Sequence, residues 1–220
     1  MTTRETYIAG AAALALGAFW LLNRDQPGNL LQQLAATAKR WVTRGRRLTR
    51  TSLNENGDVD DDPMDLVANA ADVAGVTVTL NEYALARMLG SEEANADPNT
   101  KVAIAWVALN EAARRGVSIS ALLLRDNGPG NDRFGEQRGR YASTARDPYE
   151  VDLQIAQSIL RGEVGDITGG ALHFYRPELQ DRLYEMGKVS KTAAEVDEAW
   201  GGGGFTIESV DEGITFYRTA

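Results

Sequence analysis

The chain of 220 residues contains no cysteine and only one histidine, His173. Without cysteine the protein has no disulfide framework and no thiolate nucleophile. Catalytic zinc normally takes three protein ligands, usually with more than one imidazole, so a single histidine makes a His-rich zinc site implausible. The same shortage removes most Ser-His-Asp arrangements, and we expect neither a metal ion nor a cofactor. His173 lies in the sequence ALHFY, where a structural or groove-lining role is expected.

Charge is distributed unevenly along the chain, although the net charge is −8. Residues 1–56 carry eight Lys/Arg and three Asp/Glu, a net charge of +5, whereas residues 57–220 carry fifteen and twenty-eight, a net charge of −13. This asymmetry predicts different surroundings for the two parts of the chain.

The longest uncharged apolar run is residues 7–22, YIAGAAALALGAFWLL. It is short for a membrane span, which needs about 17–25 residues, but Tyr7 and Trp20 suit the two membrane interfaces and Asn23 can extend the segment. A cleaved signal peptide is the alternative, yet the run ends in FWLL and is followed by NRD, where a small-x-small cleavage site would be needed. Residues 1–23 are therefore predicted to be a retained membrane anchor.

A basic amphipathic helix is predicted within residues 24–50. In the stretch LLQQLAATAKRWVTRGRRLTR, apolar residues share one side of the helix while Lys and Arg fill much of the remainder. Such a helix is typical of proteins that bind an anionic membrane surface. Nucleic acid is a second polyanion that it could bind, and a plain solvated helix is the third interpretation. The positive-inside rule favours the cytoplasmic side for this segment.

Residues 51–63, TSLNENGDVDDDP, are acidic and contain few hydrophobic residues. This composition predicts a solvated linker, and the Asp run lacks the glycine and the terminal Glu of a calcium-binding loop. A domain that begins at Met64 is expected to fold without the residues before it.

The remaining pattern predicts a mainly α fold (α+β) with a small β element. Asp97-Pro98 and Asp147-Pro148 are typical of helix starts, and Gly116 and Gly162 of helix ends. Asn81 is predicted to cap a helix that ends at Glu92. Residues 201–220 are predicted to form a C-terminal β-hairpin, in which strands 205–210 and 214–217 flank a turn.

Glu92 is the strongest candidate for chemistry. At helical spacing it shares one face with Leu85, Met88 and Leu89, whereas Glu93 points to the side. Desolvation raises the pKa of a carboxyl group toward the range that a general acid needs near neutral pH. The pattern is thus typical of a glycosidase acid, and the alternative is a helix-terminal Glu that is half exposed to solvent.

Two glycine-rich stretches are candidate binding regions. Residues 127–146 form a loop too long for an ordinary connection, and its aromatic, hydroxyl and guanidinium groups suit a glycan that carries carboxylates; a mobile surface loop is the alternative. The glycines of Thr168-Gly169-Gly170 would let the backbone approach a sugar closely, unless they form a plain turn before a strand.

Three segments resemble the catalytic domain of the spore-cortex-lytic (SleB-type) family of cell-wall hydrolases. They are LARMLGSEEANADPNTKVAIAWVALNEA, RYASTARDPYEVDLQIAQSILRGEV and DITGGALHFYRP, in the family's order. The resemblance covers roughly residues 80–177 and matches the family's catalytic Glu to Glu92. The chain departs from the pattern at Glu93, at Glu111 and in an arginine-rich Phe134 loop.

The resemblance implies a lysozyme-like catalytic domain, residues 64–200, that cleaves peptidoglycan glycan strands with Glu92 as the catalytic residue. The residues predicted to bind substrate, from the family motifs together with the two glycine-rich stretches, are Phe134, Tyr141, Ser143, Thr144, Thr168, Gly169, Phe174 and Tyr175. Hydrolytic glycosidases usually need two carboxyl groups, and no second one belongs to the motif. A lytic transglycosylase, which needs one Glu, is therefore favoured over a muramidase that would use Glu93, Glu136 or Asp132 to place water.

Two other classes of function stay open. The domain could bind peptidoglycan without cleaving it, as a structural virion or membrane protein, whereas an amidase or peptidase is disfavoured because metal ligands and Cys are lacking. A cytoplasmic basic segment conflicts with a substrate outside the membrane. A virion-associated, membrane-anchored enzyme removes that conflict, with lipid, packaged DNA or other virion proteins as partners of the N-terminal region.

Overall fold

A computed structural model describes residues 46–92, 96–124, 132–135, 144–211 and 213–218. Within these residues the protein is mainly helical, as predicted, with seven helices and one sheet of two antiparallel strands. The elements, in chain order, are α1 Pro63–Ala74, α2 Leu80–Glu92, α3 Pro98–Arg115, α4 Ile119–Leu123, α5 Glu150–Leu160, β1 His173–Tyr175, α6 Pro177–Glu185, α7 Ala193–Ala199 and β2 Thr215–Tyr217.

The Asp-Pro pair predicted to begin α3 does so. The carboxylate of Asp97 accepts hydrogen bonds from the backbone N–H groups of Asn99 and Thr100, and Pro98 occupies the first helical position, where no N–H is needed. The helix ends at Gly116, which adopts the left-handed conformation with φ 67°. Local sequence therefore determines both ends of α3.

The starts of α2 and α5 differ from the prediction. Thr79, not Asn81, caps α2, because Thr79 and Glu82 exchange side-chain to backbone hydrogen bonds in a capping box. Asn81 instead accepts a hydrogen bond from the backbone N–H of Ser120 in α4. In α5 the cap residue is Tyr149 and not Asp147, whose carboxylate is used in tertiary contacts described below.

Helix α2 is the centre of the core. Every residue from 82 to 90 is buried, so this helix is covered around its whole circumference. It packs most extensively against α5, and also against α1, α3 and α4. A helix surrounded in this way is held in place by its neighbours, which makes its end a well-defined position for a functional group.

A buried ion pair links α3 to α5. The Nζ of Lys101 lies 2.5 Å from Oδ1 of Asp152, and both side chains are at most 2% exposed. The other oxygen of Asp152 accepts the backbone N–H of Tyr149 at 2.9 Å. Breaking such a pair by removing one partner typically costs about 3–5 kcal/mol, because the other charge stays buried.

The segment predicted as a linker packs against the helical domain, and this corrects the expectation of an unpacked chain over residues 51–63. Val59 is fully buried, and its backbone N–H donates to the carbonyl of Phe134 at 2.8 Å. Leu48 is 1% exposed and donates its N–H to the carbonyl of Pro148 at 3.1 Å. We call residues 46–60 the N-terminal strap.

Residues 46–50 of the strap are not helical, so the predicted basic helix does not extend over them. The rest of that predicted helix and the predicted anchor at residues 1–23 lie outside the described residues. Among the helices that the structure does describe, none has the length and apolar character needed to cross a membrane.

The predicted pairing of residues 205–210 with 214–217 is reduced to one antiparallel bridge between Phe205 and Phe216, and the main partner of β2 is another strand. β2 pairs with β1, in the register His173↔Tyr217, Phe174↔Phe216 and Tyr175↔Thr215, while residue 205 contributes only a single bridge to Phe216. Pairing with β1 places Phe216 and Tyr217 against the helical domain, where they are 0% and 2% exposed. The burial of these two aromatic side chains favours the distant partner over the adjacent one.

Glu111, which departs from the family pattern, is a fully buried carboxylate in α3. It accepts hydrogen bonds from Nε of Arg114 at 2.7 Å and from Nε of Arg115 at 2.6 Å. The bond from Arg114 is the main cause that lowers the pKa of Glu111 to about 2, and it outweighs the opposing effect of burial. Because the folded-state pKa is depressed, this stabilisation is present above about pH 4.5 and is lost as the pH falls through about 2.

Replacing Glu111 should therefore have a pH-dependent effect. Glu111→Gln is expected to lower the free energy of unfolding by about 1–3 kcal/mol at pH 6, the range for hydrogen bonds to charged groups, and by clearly less at pH 3. Urea unfolding at both pH values measures the difference, with the exposed Glu163→Gln as a control. An equal loss at the two pH values would contradict this origin of the stabilisation.

Candidate functional site

Glu92 is the last residue of α2, and its side chain is partly buried. Helix α2 is described as far as Glu92, and Leu85, Met88 and Leu89 on the same predicted face are fully buried. Glu93 lies outside the described residues. The carboxyl group of Glu92 thus stands where a buried helix reaches the protein surface.

The last turn of α2 is fastened to the chain segment that precedes α5. The Oγ of Ser91 accepts a hydrogen bond from the backbone N–H of Arg146 at 3.0 Å. One residue earlier, Gly90 approaches Pro148 and Asp152 so closely that a Cβ atom would lie 3.3 Å from atoms of both residues. Glu92 therefore follows a turn with defined contacts on two successive residues.

A fully buried arginine in α2, Arg87, holds the same segment. Its Nε donates to the carbonyl of Thr144 at 2.7 Å, and its Nη2 donates to the carbonyl of Ala145 at 2.8 Å. Its Nη1 lies 3.3 Å from Oδ1 of Asp147 and also donates to the hydroxyl of Tyr83 at 3.1 Å. Because these donors meet carbonyl, carboxylate and hydroxyl oxygens, the buried charge is well compensated.

Two residues predicted to bind substrate, Phe134 and Thr144, are buried in the core. The ring of Phe134 packs edge-on against Tyr83, with centroids 5.5 Å apart, and lies 5.0 Å from the guanidinium carbon of Arg87. The hydroxyl of Thr144 accepts the backbone N–H of Gly135 at 3.1 Å. Both side chains are 0% exposed, so we correct their predicted role from substrate contact to structural support.

Tyr141 and Ser143, also predicted to bind substrate, lie outside the described residues. Among the carboxyl groups considered for placing water, the same holds for Glu93 and Glu136, whereas Asp132 is exposed. Their predicted roles stay predictions.

The Asp166–Ala171 stretch forms a turn organised by one carboxylate. Asp166 accepts hydrogen bonds from the backbone N–H and the hydroxyl of Thr168, at 2.7 and 2.6 Å, and from the N–H of Gly170 at 2.8 Å. Burial alone raises the pKa of Asp166, but these hydrogen bonds outweigh it and hold the pKa below its usual range. Asp166 is therefore an ionised acceptor that stabilises the turn.

Asn110 of α3 connects this turn to the helical core. Its Nδ2 lies 3.2 Å from Oδ2 of Asp166, 3.3 Å from Oγ1 of Thr168 and 3.1 Å from the carbonyl oxygen of Ala171. Thr168 is 0% exposed, so its hydroxyl supports the turn and offers no surface to a ligand. This corrects its predicted role as a substrate contact.

Gly169 and Gly170 are exposed at the tip of the turn, with φ values of 57° and 88° that favour glycine. The carbonyl oxygen of Gly169 accepts a hydrogen bond from Nε of Arg218 at 2.7 Å. Arg218 follows β2 and lies beyond the region of resemblance, and sequence reasoning did not identify it. No local pattern signals this contact, which depends on the pairing of β2 with β1.

Phe174 and Tyr175 of β1 are partly exposed. The hydroxyl of Tyr175 donates to the carbonyl of Ala193 at 3.1 Å, and its ring packs edge-on against Trp200 at 5.3 Å between centroids. Trp200 also stacks on His173 at 4.6 Å, so the single histidine has a structural contact. An aromatic cluster thus forms beside the sheet, and its member Trp200 was missed from the sequence.

The other strongly buried carboxylates with defined partners are used structurally. Asp152 pairs with Lys101, Glu111 binds two arginines, and Glu82 caps α2. Within the described ranges no three His, Asp or Glu side chains converge in a way that would hold a metal ion.

The chain matches no protein-family model, and no curated protein or solved structure matches it either.

Proposed function

We propose that the protein is a peptidoglycan lytic transglycosylase in which Glu92 is the single acid and base, carried by a lysozyme-like arrangement of short helices. The observation that carries this proposal is the position of Glu92, which is partly buried and lies two residues after the fully buried stretch 82–90 of α2. A carboxyl group in this position can be held firmly by the core and still reach a substrate.

The other carboxylates support the proposal by elimination. Asp152 and Glu111 are fully buried and bonded to cationic side chains, which leaves neither an exposed surface for a glycosidic oxygen. Asp166 is engaged by three donor groups of its own turn. Among the described helical carboxyl groups, Glu92, Glu150 and Asp197 are partly buried, and of these three the resemblance selects Glu92.

The tertiary contacts also support the resemblance on which the proposal rests. Asn110 and Asp166, which belong to two of its three segments and are 56 residues apart, are hydrogen-bonded. Arg87 and Ser91, from the segment that contains Glu92, contact the second segment at Thr144 and Arg146. Residues that the resemblance groups together therefore form one connected structure.

In the proposed reaction Glu92 first donates its proton to the glycosidic oxygen, and the bond from that oxygen to the anomeric carbon of N-acetylmuramic acid breaks. The resulting carboxylate then accepts the proton of the muramic acid 6-hydroxyl, whose oxygen attacks the anomeric carbon and closes a 1,6-anhydro ring. The proton taken up equals the proton given, so one carboxyl group suffices and no water is consumed.

We further propose that the N-terminal region places the enzyme on a membrane or inside a virion. The basic composition of residues 24–50 and the apolar run before it support this, together with the attraction of about 1 kcal/mol per Lys or Arg near an anionic surface. In a phage particle such an enzyme would open the bacterial cell wall locally.

Mass spectrometry of digested sacculi tests the proposed chemistry. A lytic transglycosylase is expected to release muropeptides that end in 1,6-anhydro-muramic acid. Reducing-end muramic acid would instead identify a muramidase, and free stem peptides would identify an amidase or peptidase. Binding to sacculi without any release of muropeptides would reject an enzymatic function.

A further inference from the structure

Gly90 lies two residues before Glu92 in helix α2, where glycine is an unfavourable choice. Its backbone does not have the positive φ that would require glycine, and glycine in a helix interior costs about 1 kcal/mol relative to alanine. Helix formation alone therefore favours alanine at this position. A different physical reason for the glycine is the space around it.

The missing Cβ of Gly90 would meet three atoms of the facing chain segment. It would lie 3.3 Å from Oδ2 of Asp152, 3.3 Å from Cα of Pro148 and 3.4 Å from the carbonyl oxygen of Asp147. The two separations of 3.3 Å are tighter than ordinary Cβ contacts, whereas 3.4 Å is an ordinary van der Waals contact. Either the atoms of Asp152 and Pro148 or the helix would therefore have to shift by a few tenths of an ångström. Which of the two moves depends on how firmly the facing atoms are held.

Two buried contacts hold the carboxylate of Asp152 in place. One of its oxygens is bonded to Lys101 at 2.5 Å, and the other accepts the N–H of Tyr149 at 2.9 Å. Moving the carboxylate away from Gly90 would stretch a buried ion pair or uncap α5. Both losses are costly in the interior.

Asp147 and Pro148 are held by the N-terminal strap. The carboxylate of Asp147 accepts the hydroxyl of Thr49 at 2.7 Å and the hydroxyl of Thr51 at 2.9 Å, in addition to its pairing with Arg87. The carbonyl of Pro148 accepts the N–H of Leu48 at 3.1 Å, and its ring restricts the backbone. We call Asp147, Pro148 and Asp152 the docking wall.

We infer that the docking wall positions Glu92. Contact at Gly90 sets the distance between the last turn of α2 and the docking wall, and Ser91 ties that turn to Arg146 through its hydrogen bond. Glu92 follows two residues after the contact, so a shift forced at Gly90 is passed directly to its carboxyl group. The inference rests on the proposed function for its catalytic consequence. It also makes the strap, through Leu48, Thr49 and Thr51, an indirect part of the site.

Gly90→Ala tests the inference on the full-length protein. We expect kcat on soluble glycan strands to fall about three- to tenfold with KM within about twofold, because the added Cβ forces a shift of a few tenths of an ångström and a displacement of about 1 Å can cost a hundredfold. Gly165→Ala is the matched control, since no atom lies within 4 Å of its added Cβ, and it should leave both constants unchanged.

A second variant and a second measurement separate positioning from folding. Ser91→Ala removes only the tether and should also lower kcat, by a smaller factor than Gly90→Ala. The titration of the Glu92 carboxyl carbon and the exchange of the amides of Ser91 and Glu92, both by NMR, report the position of the turn without activity. We expect both observables to change in Gly90→Ala and to stay constant in Gly165→Ala.

The outcomes distinguish this inference from the proposed function. If the wild-type protein releases no muropeptides while Gly90→Ala still changes the Glu92 titration and amide exchange, the enzymatic proposal fails and the docking wall stands. If Gly90→Ala leaves kcat, titration and exchange at wild-type values, the docking wall does not position Glu92, whatever the activity of the protein.

Discussion

Glu92→Gln is expected to lower the rate of glycan cleavage by at least about a hundredfold, the usual scale of general acid–base catalysis, without changing the fold. Glutamine keeps the size of the side chain but has no proton to donate to the glycosidic oxygen. Because Glu92 is the last residue of α2 and only partly buried, the substitution leaves the packing of the helix core unchanged. Release of soluble muropeptides from purified sacculi measures the rate.

Two matched variants control this experiment. Glu163→Gln removes an exposed carboxylate and should retain wild-type activity. Glu93→Gln removes the neighbouring carboxylate, whose sequence position points to the side of the helix, and should have a milder effect than Glu92→Gln. Near-normal turnover by Glu92→Gln, with unchanged circular dichroism, would remove Glu92 from the mechanism, and a reversed ranking of the two would identify Glu93 as the acid.

Removing residues 1–63 is expected to abolish the folded domain at 37 °C, whereas removing residues 1–45 should leave it folded. The longer deletion takes away the buried side chains of Leu48 and Val59 and the hydroxyl groups that bind Asp147. Loss of a large buried aliphatic side chain costs about 2–5 kcal/mol, while a whole domain is stable by only about 5–15 kcal/mol. The longer deletion therefore removes most of the stability.

Thermal unfolding followed by circular dichroism compares the two shortened chains. The chain that begins at Arg46 should unfold cooperatively and remain active on detached peptidoglycan, while the chain that begins at Met64 should show no cooperative transition. A folded and active chain from Met64 would mean that the strap is dispensable, as the acidic composition of residues 51–63 predicts. The chain from Arg46 that carries Leu48→Ala should have a stability between those of the two shortened chains.

The sequence by itself determined the features that depend on neighbouring residues. The mainly helical class and the Asp97 cap with Gly116 at the end of α3 follow from interactions within a few residues. The same local patterns predicted that Leu85, Met88 and Leu89 would be buried. Helical periodicity and capping are short-range effects, so they can be read without the fold.

Only the tertiary structure decided which distant segments of the chain meet. The acidic composition of residues 51–63 gives no sign that Val59 is buried. The glycine-rich sequence around Phe134 and Thr144 likewise gives no sign that both lie in the core. β2 pairs along its length with β1 and forms only one bridge to the nearer residue 205, and the space beside Gly90 is limited by residues about sixty positions away. These outcomes depend on which apolar surfaces and buried charges meet across long separations, and composition and periodicity carry no information about such meetings.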